Sequence, residues 1–248
     1  MTNKITLEAL PNVPYIEEGD DVGQIISDAA QRGGISFEDN DVLCVASKAV
    51  SIAEGRFKSL DEVEVGEVAK KIHEQAPRKD PRTIQVIIDE SGAPDGSRIE
   101  LDGNYIGAWL PNGQRLTSGG VDKNGQDEVI LLPVDPDASA RAIGQKILQV
   151  EKVMVGVIIT DSDGRVEKRG STQVAIGVYG VPPVRVTESA GLEGSLDTSE
   201  ETLCDMMAAA AGIIMGQRGT NKPVVLIRGH EYTFDDSSTI KDALSRPA

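Results

Sequence analysis

The stretch GVIITDSDGRVEKRGSTQVAIGVYGVPP, residues 156–183, joins two apolar strands through a run of alternating charges. The first apolar run ends at Asp161, and the hydroxyl of Ser162 follows it directly. A side chain at the end of a strand is held rigidly, whereas the loop beyond it stays open to a substrate. We therefore expect the chemistry of this chain to be concentrated at this junction.

Length and composition limit the possible classes of protein. A chain of 248 residues with 39% hydrophobic content can build one large domain or two small ones. Its 40 acidic and 25 basic residues give a formal charge of -15, which disfavours nucleic acids and anionic membranes as partners. No apolar run approaches the ~20 residues of a membrane span, and the N-terminus lacks the apolar stretch of a signal peptide. We expect a cytoplasmic protein.

Apolar spacing and turn residues predict the order of the elements. We predict helices at residues 17–34, on both sides of Pro77 to Pro81, at 135–150, and at 199–216 with Ser199 as the N-cap. Residues 41–52 are predicted as a strand that runs into a turn, and residues 98–125 as a meander of hairpins. Strands and helices mix without a regular βαβ rhythm, so the fold class is α+β with mixed, mostly antiparallel sheets.

Two aspartates are candidate metal ligands. Asp161 with Ser162 ends the apolar strand, and Asp122 lies in the glycine-rich turn TSGGVDKNG. Oxygen ligands of this kind suit a hard divalent cation such as Mg2+ or Mn2+, which commonly takes one or two carboxylates together with water and phosphate oxygens. An ordinary turn role for Asp122 stays open.

Glycines and cations near these aspartates suit an anion. Glycines around Asp122 and in residues 216–223 allow backbone amides to approach phosphate closely, although no Walker A or GxGxxG motif is present. Positive charge that could hold a polyphosphate comes from Lys48, Arg165, Lys168 and Arg169. A solvated hairpin remains the alternative for residues 165–169.

Several segments, in this order and spacing, resemble the coenzyme F420-0 gamma-glutamyl ligase family. They are ALPNVPYIEEGDD at 9–21, VASKAVSIAEGR at 45–56, GGVDKNG at 119–125, ILLPVDPDASARAI at 130–143, VGVIITDSDGRVEKRGSTQVAIGVYGVPP at 155–183 and IIMGQRGTNKPVVLIRG at 213–229.

The resemblance implies the fold of this ligase family as a single unit over residues 1–248, with two intertwined subdomains and a homodimeric assembly. The polar composition of residues 232–248 predicts a flexible tail. The resemblance also implies an amide ligase that uses GTP and Mn2+ or Mg2+, with K+ as a further cofactor. Such an enzyme activates a carboxylate of the F420 precursor as an acyl phosphate, and the amine of L-glutamate then displaces phosphate.

By the same resemblance, particular residues receive roles. The catalytic residues are Asp161, Arg165 and Arg169. The residues that bind the nucleotide are Leu10, Pro11, Asn12, Val13, Ser47, Lys48, Asn124, Gly216, Gln217 and Gly219. The metal ligands are Asp122, Asp161, Ser162 and Gln217.

The chain departs from the family pattern at several of these positions. Ile52 stands where the family has a lysine, Gly125 where it has an asparagine, Gln217 where it has a glutamate and Ser162 where it has a threonine. The segment LEGSL at 192–196 replaces an aromatic and arginine-bearing YGREL. Two alternatives therefore stay open: a diverged ligase for another carboxylated acceptor, such as a folate-like molecule, and a non-catalytic paralogue.

Overall fold

The computed structural model describes residues 4–190, 196–217 and 219–245. In chain order the strands are β1 (Thr6–Ala9), β2 (Val42–Ala46), β3 (Phe57–Ser59), β4 (Ile99–Asp102), β5 (Tyr105–Trp109), β6 (Arg115–Thr117), β7 (Asp122–Lys123), β8 (Glu128–Ile130), β9 (Gly156–Gly164), β10 (Ser171–Tyr179), β11 (Arg185–Ala190), β12 (Leu196–Glu201) and β13 (Val224–Arg228). The helices are α1 (Val22–Gly33), α2 (Ser47–Ala53), α3 (Glu67–Gln75), α4 (Pro81–Ser91), α5 (Pro136–Glu151) and α6 (Leu203–Met215).

A five-stranded sheet in the order β1-β13-β2-β9-β10 forms the centre of the molecule. Strands β2 and β9 are parallel, and the other neighbours are antiparallel. Side chains alternate between the two faces of the sheet, so Leu43 packs with α1 and α5, whereas Cys44 packs with α6 on the opposite face. The mixed, mostly antiparallel α+β class predicted from the sequence is confirmed.

The helix ends follow the capping residues that the sequence contains. The carboxylates of Asp21 and Asp135 accept hydrogen bonds from backbone amides in the first turns of α1 and α5. Gly34 closes α1 in the left-handed conformation, with φ of 71°. Within the described residues, no helix is both long enough and apolar enough to cross a membrane.

A second group of elements packs around a core of its own. It comprises α3, α4, the predicted meander β4-β5-β6 and the small sheet β3-β8-β7. This group meets the central sheet near the end of β9, where the amide and the hydroxyl of Thr117 donate to Asp163 Oδ1 over 2.8 and 2.7 Å. The contact holds the end of β6 against β9, and Asp122 at the start of β7 follows five residues later.

Two local predictions are wrong. Residues 47–53 form the helix α2 where we predicted a turn, because Ala49 and Val50 are buried in the core when this segment is helical. Ser199 does not cap the last helix: it pairs with Thr187 in the β11–β12 hairpin, and Thr202 occupies the N-cap position of α6. The hairpin extends to Glu201 and leaves the helix to begin at Leu203.

The described part of the predicted flexible tail, residues 232–245, packs on the fold. The ring of Phe234 meets Tyr179 edge-on at a centroid distance of 5.5 Å, and a short 3-10 helix at Ile240–Ala243 follows. Ile240 is only 3% exposed and belongs to the core beneath α6. Apolar residues inside a polar stretch therefore anchor this segment.

The packing of Ile240 gives a direct test. We expect Ile240→Ala to lower the free energy of unfolding by about 2–4 kcal/mol, the usual result of removing a buried isoleucine side chain. The neighbouring exposed Lys241→Ala should change it by less than about 0.5 kcal/mol. Urea denaturation followed by circular dichroism measures both variants, and equal effects would contradict the packed position of Ile240.

Candidate active site

A cavity of about 450 Å3 opens at one edge of the central sheet. Its lining comes from five regions of the chain that are distant in sequence: the segment before α1, the β2–α2 junction, the start of β7, the β9–β10 hairpin and the loop after α6. The lining residues are Val13, Pro14, Tyr15, Ile16, Ala46, Ser47, Lys48, Ala49, Ile52, Asp122, Thr160, Asp161, Ser162, Gln173, Met215, Gly216, Gln217, Gly219, Thr220, Asn221, Lys222 and Pro223.

The parallel pairing of β2 and β9 places two of these residues side by side. Ala46 lies opposite Thr160 in the register, so Ser47, the first residue after β2, lies beside Asp161. Strand β9 does not end at Asp161 as the sequence suggested, because pairing with β10 continues to Gly164. The hydroxyl of Ser47 donates to Asp161 Oδ1 over 2.7 Å. Ser47 is buried, and its hydrogen bond fixes the orientation of the carboxylate.

Burial raises the pKa of Asp161 to about 7. The hydrogen bond from Ser47 lowers this pKa, whereas the negative charges of Asp122 and Asp163 raise it further. The carboxylate is therefore held where its negative charge is poorly solvated and faces other acids. A site of this kind favours a proton or a metal cation.

Asp122 reaches the cavity from the second group of elements. It begins the short strand β7, and its Oδ2 lies 3.0 Å from the ammonium nitrogen of Lys48 on α2. Both side chains remain about half exposed, so solvent screens the ion pair, and its contribution to stability is small. The pair brings a carboxylate and a cation to the cavity rim.

Three side chains form a hydrogen-bonded row on the other side of Asp161. Gln173 lies opposite Ser162 across the β9–β10 hairpin, and its amide donates to Ser162 Oγ over 3.0 Å. Ser162 in turn donates to Gln217 Oε1 over 3.0 Å. The row connects the end of the sheet to the loop after α6 and places neutral oxygen atoms beside the carboxylates.

The loop after α6 turns sharply where it lines the cavity. Gly216, Gly219 and Asn221 have positive φ angles of 65°, 70° and 50°, and the hydroxyl of Thr220 donates to the carbonyl of Met215. Glycine adopts such angles without steric cost, and Asn tolerates them. The ammonium-bearing Lys222 follows and lines the same cavity.

The donor set of the cavity fits a hard cation that also binds substrate. Carboxylates come from Asp122 and Asp161, and neutral oxygens come from Ser162 and Gln217. Over the described ranges, no group of three or more His, Cys, Asp and Glu side chains could hold a metal by itself. A magnesium or manganese ion at this cavity would therefore complete its shell with water and phosphate oxygens.

The structure brings together most, but not all, of the predicted site residues. Those that line the cavity are Val13, Ser47, Lys48, Asp122, Asp161, Ser162, Gly216, Gln217 and Gly219. Leu10 is a core residue, only 2% exposed, and Pro11 and Asn12 lie on the segment that leads to the cavity. They do not line it.

The remaining predicted residues lie on exposed loops outside the lining. Asn124 donates to Glu128 within the β7–β8 turn. Arg165 and Arg169 lie in the exposed loop between β9 and β10, and their catalytic role stays a prediction. The LEGSL segment at 192–196 departs from the family pattern, and its residues 192–195 are not among the described residues.

Some lining residues were not predicted from the sequence. Tyr15, Gln173 and Lys222 all face the cavity, and Ile52 was noted only as a departure from the family pattern. Gln173 could have been found by counting the β9–β10 register from Ser162. Tyr15 and Lys222 carry no local signal, because their position depends on contacts between distant segments.

The region that forms the cavity is covered by the comparisons with known proteins. The sequence model of the F420-0:Gamma-glutamyl ligase family matches residues 12–229, which include every lining residue of the cavity. The coenzyme F420:L-glutamate ligase of Methanosarcina mazei is 32% identical over 95% of this chain and 90% of its own length. The ligase of the same name from Methanopyrus kandleri is 35% identical over 91% of this chain and 87% of its own length. That from Halobacterium salinarum is 32% identical over 93% of this chain and 89% of its own length.

The raised pKa of Asp161 predicts how stability depends on pH. The folded protein keeps this proton up to about pH 7, whereas the unfolded chain loses it near the ordinary value of 3.8. The stability that the proton contributes is complete below that lower value and disappears as the pH rises through about 7. In metal-free buffer, Asp161→Asn should therefore gain stability relative to the wild type between about pH 4 and 8, by roughly 1–3 kcal/mol.

Denaturation curves at several pH values measure this difference. The exposed Asp236→Asn serves as a matched control, because it removes one carboxylate that does not line the cavity. A constant difference between Asp161→Asn and the wild type across the range would contradict the raised pKa of Asp161.

Proposed function

The chain belongs to the F420-0:gamma-glutamyl ligase family, and from this membership we propose that it joins L-glutamate to F420-0, the deazaflavin precursor of coenzyme F420. The observation that carries the proposal is the convergence of Asp161, Asp122 and Lys48 on one cavity within the matched region. This cavity combines oxygen ligands for a cation with positive charge for phosphate.

The proposed reaction has two steps. The γ-phosphate of GTP is transferred to a carboxylate of F420-0, which gives an acyl phosphate and GDP. The amine of L-glutamate then attacks the acyl carbon, an amide bond forms and phosphate leaves. Positioning and charge stabilisation supply most of the catalysis in phosphoryl transfer, so the charges around the cavity carry this chemistry.

Each part of the cavity has a task in this scheme. Asp122 and Asp161, with the neutral oxygens of Ser162 and Gln217, would hold Mn2+ or Mg2+, and K+ would be a further cofactor. When bound, the divalent cation offsets the negative charge that gathers on the phosphate oxygens. The Ser47 hydroxyl keeps the carboxylate of Asp161 oriented.

Positive charge lies on two sides of the cavity. Lys48 and Lys222 would attract the phosphates of GTP, and the glycine-rich loop that begins at Gly216 lets backbone amides approach them. Arg165 and Arg169 follow the strand that carries Asp161 and would draw in the anionic acceptor or glutamate.

The departures from the family pattern are compatible with an active enzyme. Gln217 keeps a side-chain oxygen in the row with Ser162, so an oxygen donor remains where the family has a carboxylate. Ile52, where the family has a lysine, brings no charge to the cavity, but Lys222 supplies an ammonium group to the same cavity. We propose that the active protein is a cytoplasmic homodimer. Exposed Met206 and Ile213 on α6 offer an apolar surface for its assembly.

Mass spectrometry of the reaction tests the function. Purified protein with Mn2+, L-glutamate, GTP and F420-0 should give a product heavier by one glutamyl unit, together with GDP and phosphate. Asp161→Asn should reduce the rate at least 100-fold, because one carboxylate donor becomes a neutral amide; this corresponds to about 2.7 kcal/mol. The distant Asp236→Asn should retain the wild-type rate.

Other outcomes of this assay would overturn the proposal. GTP consumption that gives product only with another carboxylated acceptor would favour the diverged ligase. No turnover at low or high salt, with no thermal shift on adding GTP and Mn2+, would favour a non-catalytic paralogue.

The Lys48–Asp122 ion pair predicts a linkage between metal and nucleotide. The ammonium of Lys48 is paired with the carboxylate of Asp122 that the metal would use. Lys48→Met should therefore raise the Mn2+ affinity of the free protein by up to about fivefold, which corresponds to the usual stabilisation by an exposed ion pair. The same variant should weaken GTP binding in the presence of Mn2+, because a cation that attracts phosphate is lost. Isothermal titration calorimetry measures both constants.

The exposed Lys241→Met removes one positive charge outside the cavity and serves as the control. If Lys48→Met lowers the Mn2+ affinity, or changes it no more than Lys241→Met does, the exchange of cations at Asp122 is wrong.

A further inference from the structure

Tyr15 stands at the cavity with its ring almost entirely in solvent. It is 87% exposed, the highest value for a large hydrophobic side chain in the described part of the chain. An isolated exposed apolar side chain on a protein surface needs no explanation, but this ring lines the cavity that contains Asp161 and Lys48. Its exposed face is therefore available to a molecule that enters the cavity.

The backbone around Tyr15 is braced on both sides. Ile16 is buried at 6% exposure and Leu10 at 2%, so the segment is anchored before and after the tyrosine. Pro11 packs closely over Gly33, where any side chain would collide with it, and Arg32 donates to the carbonyl of Asn12 over 3.4 Å. A ring displayed by a fixed segment loses little conformational entropy when it contacts a ligand.

The lining of the cavity contains both apolar and charged side chains. Its apolar part consists of Val13, Ala49 and Ile52 together with the ring of Tyr15. The charged part contains Lys48 and Lys222 together with the aspartates. A ligand that suits both parts has a planar, mainly apolar ring at one end and phosphate at the other.

We propose that Tyr15 and Ile52 form a subsite for the planar heteroaromatic ring of a phosphate-bearing substrate, with that ring stacked on Tyr15. The inference rests on the proposed function, in which GTP carries a purine ring and F420-0 carries a deazaflavin ring. A lysine at position 52 would bring a strongly hydrated charge into this apolar part, whereas Ile52 keeps it suitable for ring contact. Base–aromatic stacking contributes enough affinity to make Tyr15 a specificity-determining residue.

Equilibrium titrations of three probes test the subsite. GTP, F420-0 and the ring-free tripolyphosphate are each titrated with Mn2+ into the wild type, Tyr15→Ala, Tyr15→Leu and Tyr15→Phe. Tyr15→Ala should weaken one of the two ring-bearing probes about 10- to 100-fold, the range of a lost stacking contact, and leave tripolyphosphate within about twofold. Tyr15→Phe, which keeps the ring, should retain nearly wild-type affinity, and Tyr15→Leu should resemble Tyr15→Ala.

The probe whose binding becomes weaker identifies the ring. Weaker binding of GTP indicates the purine, and weaker binding of F420-0 indicates the deazaflavin. Val134→Ala, another exposed apolar residue outside this cavity, should leave all three constants unchanged. Unchanged GTP and F420-0 constants in Tyr15→Ala, or an equal loss of tripolyphosphate, would overturn the ring subsite alone. A wild-type protein that binds neither ring-bearing probe would overturn the subsite and the proposed function together.

Discussion

The parallel pairing of β2 with β9 is the constraint on which the cavity depends. It places the end of β2 beside the middle of β9, so Ser47, which follows β2, lies next to Asp161 within β9. Strand β1 ends at the same edge, and the antiparallel strand β13 begins there. The segment before α1 and the loop after α6 therefore arrive beside the same two residues. Ligands bind at the carboxyl ends of strands in many sheets for this geometric reason.

The position of Asp161 that would suit cation binding also makes its charged form unfavourable in the fold. Asp161 is held where burial and neighbouring acids disfavour its charged form, and only the Ser47 hydroxyl and one backbone amide oppose this effect. The fold maintains the arrangement because apolar cores cover both faces of the sheet and supply stability elsewhere. Carboxylates with a raised pKa are common at functional sites. A cation that neutralises such a poorly solvated charge gains binding free energy from doing so.

Local sequence patterns were enough to predict the α+β class, most of the helices and the strands β2, β9 and β10, and to single out Asp122 and Asp161 as candidates, because apolar runs, caps and glycine turns are signals of short range. They did not predict β1 or the β11–β12 hairpin. The errors at α2 and at Ser199 have a common cause, since contacts outside the local segment decided each structure: burial of Ala49 and Val50 in one case and pairing with Thr187 in the other. The flexibility of residues 232–248 stays a prediction. The ion pair between Lys48 and Asp122 joins separate groups of elements and has no signal in either segment. The family resemblance identified both residues, but not that they touch.

The net charge of -15 raises the question of how anionic substrates approach this chain. At physiological ionic strength, charges on the surface are screened over about 8 Å, so distant acids contribute little to the field inside the cavity. Lys48 and Lys222 line the cavity, and the aspartates there would be neutralised by a bound cation. Because of this screening, the local balance of these few groups, rather than the charge of the whole chain, would govern the proposed binding of phosphate. High salt should therefore weaken this binding less than it weakens a contact with an open surface.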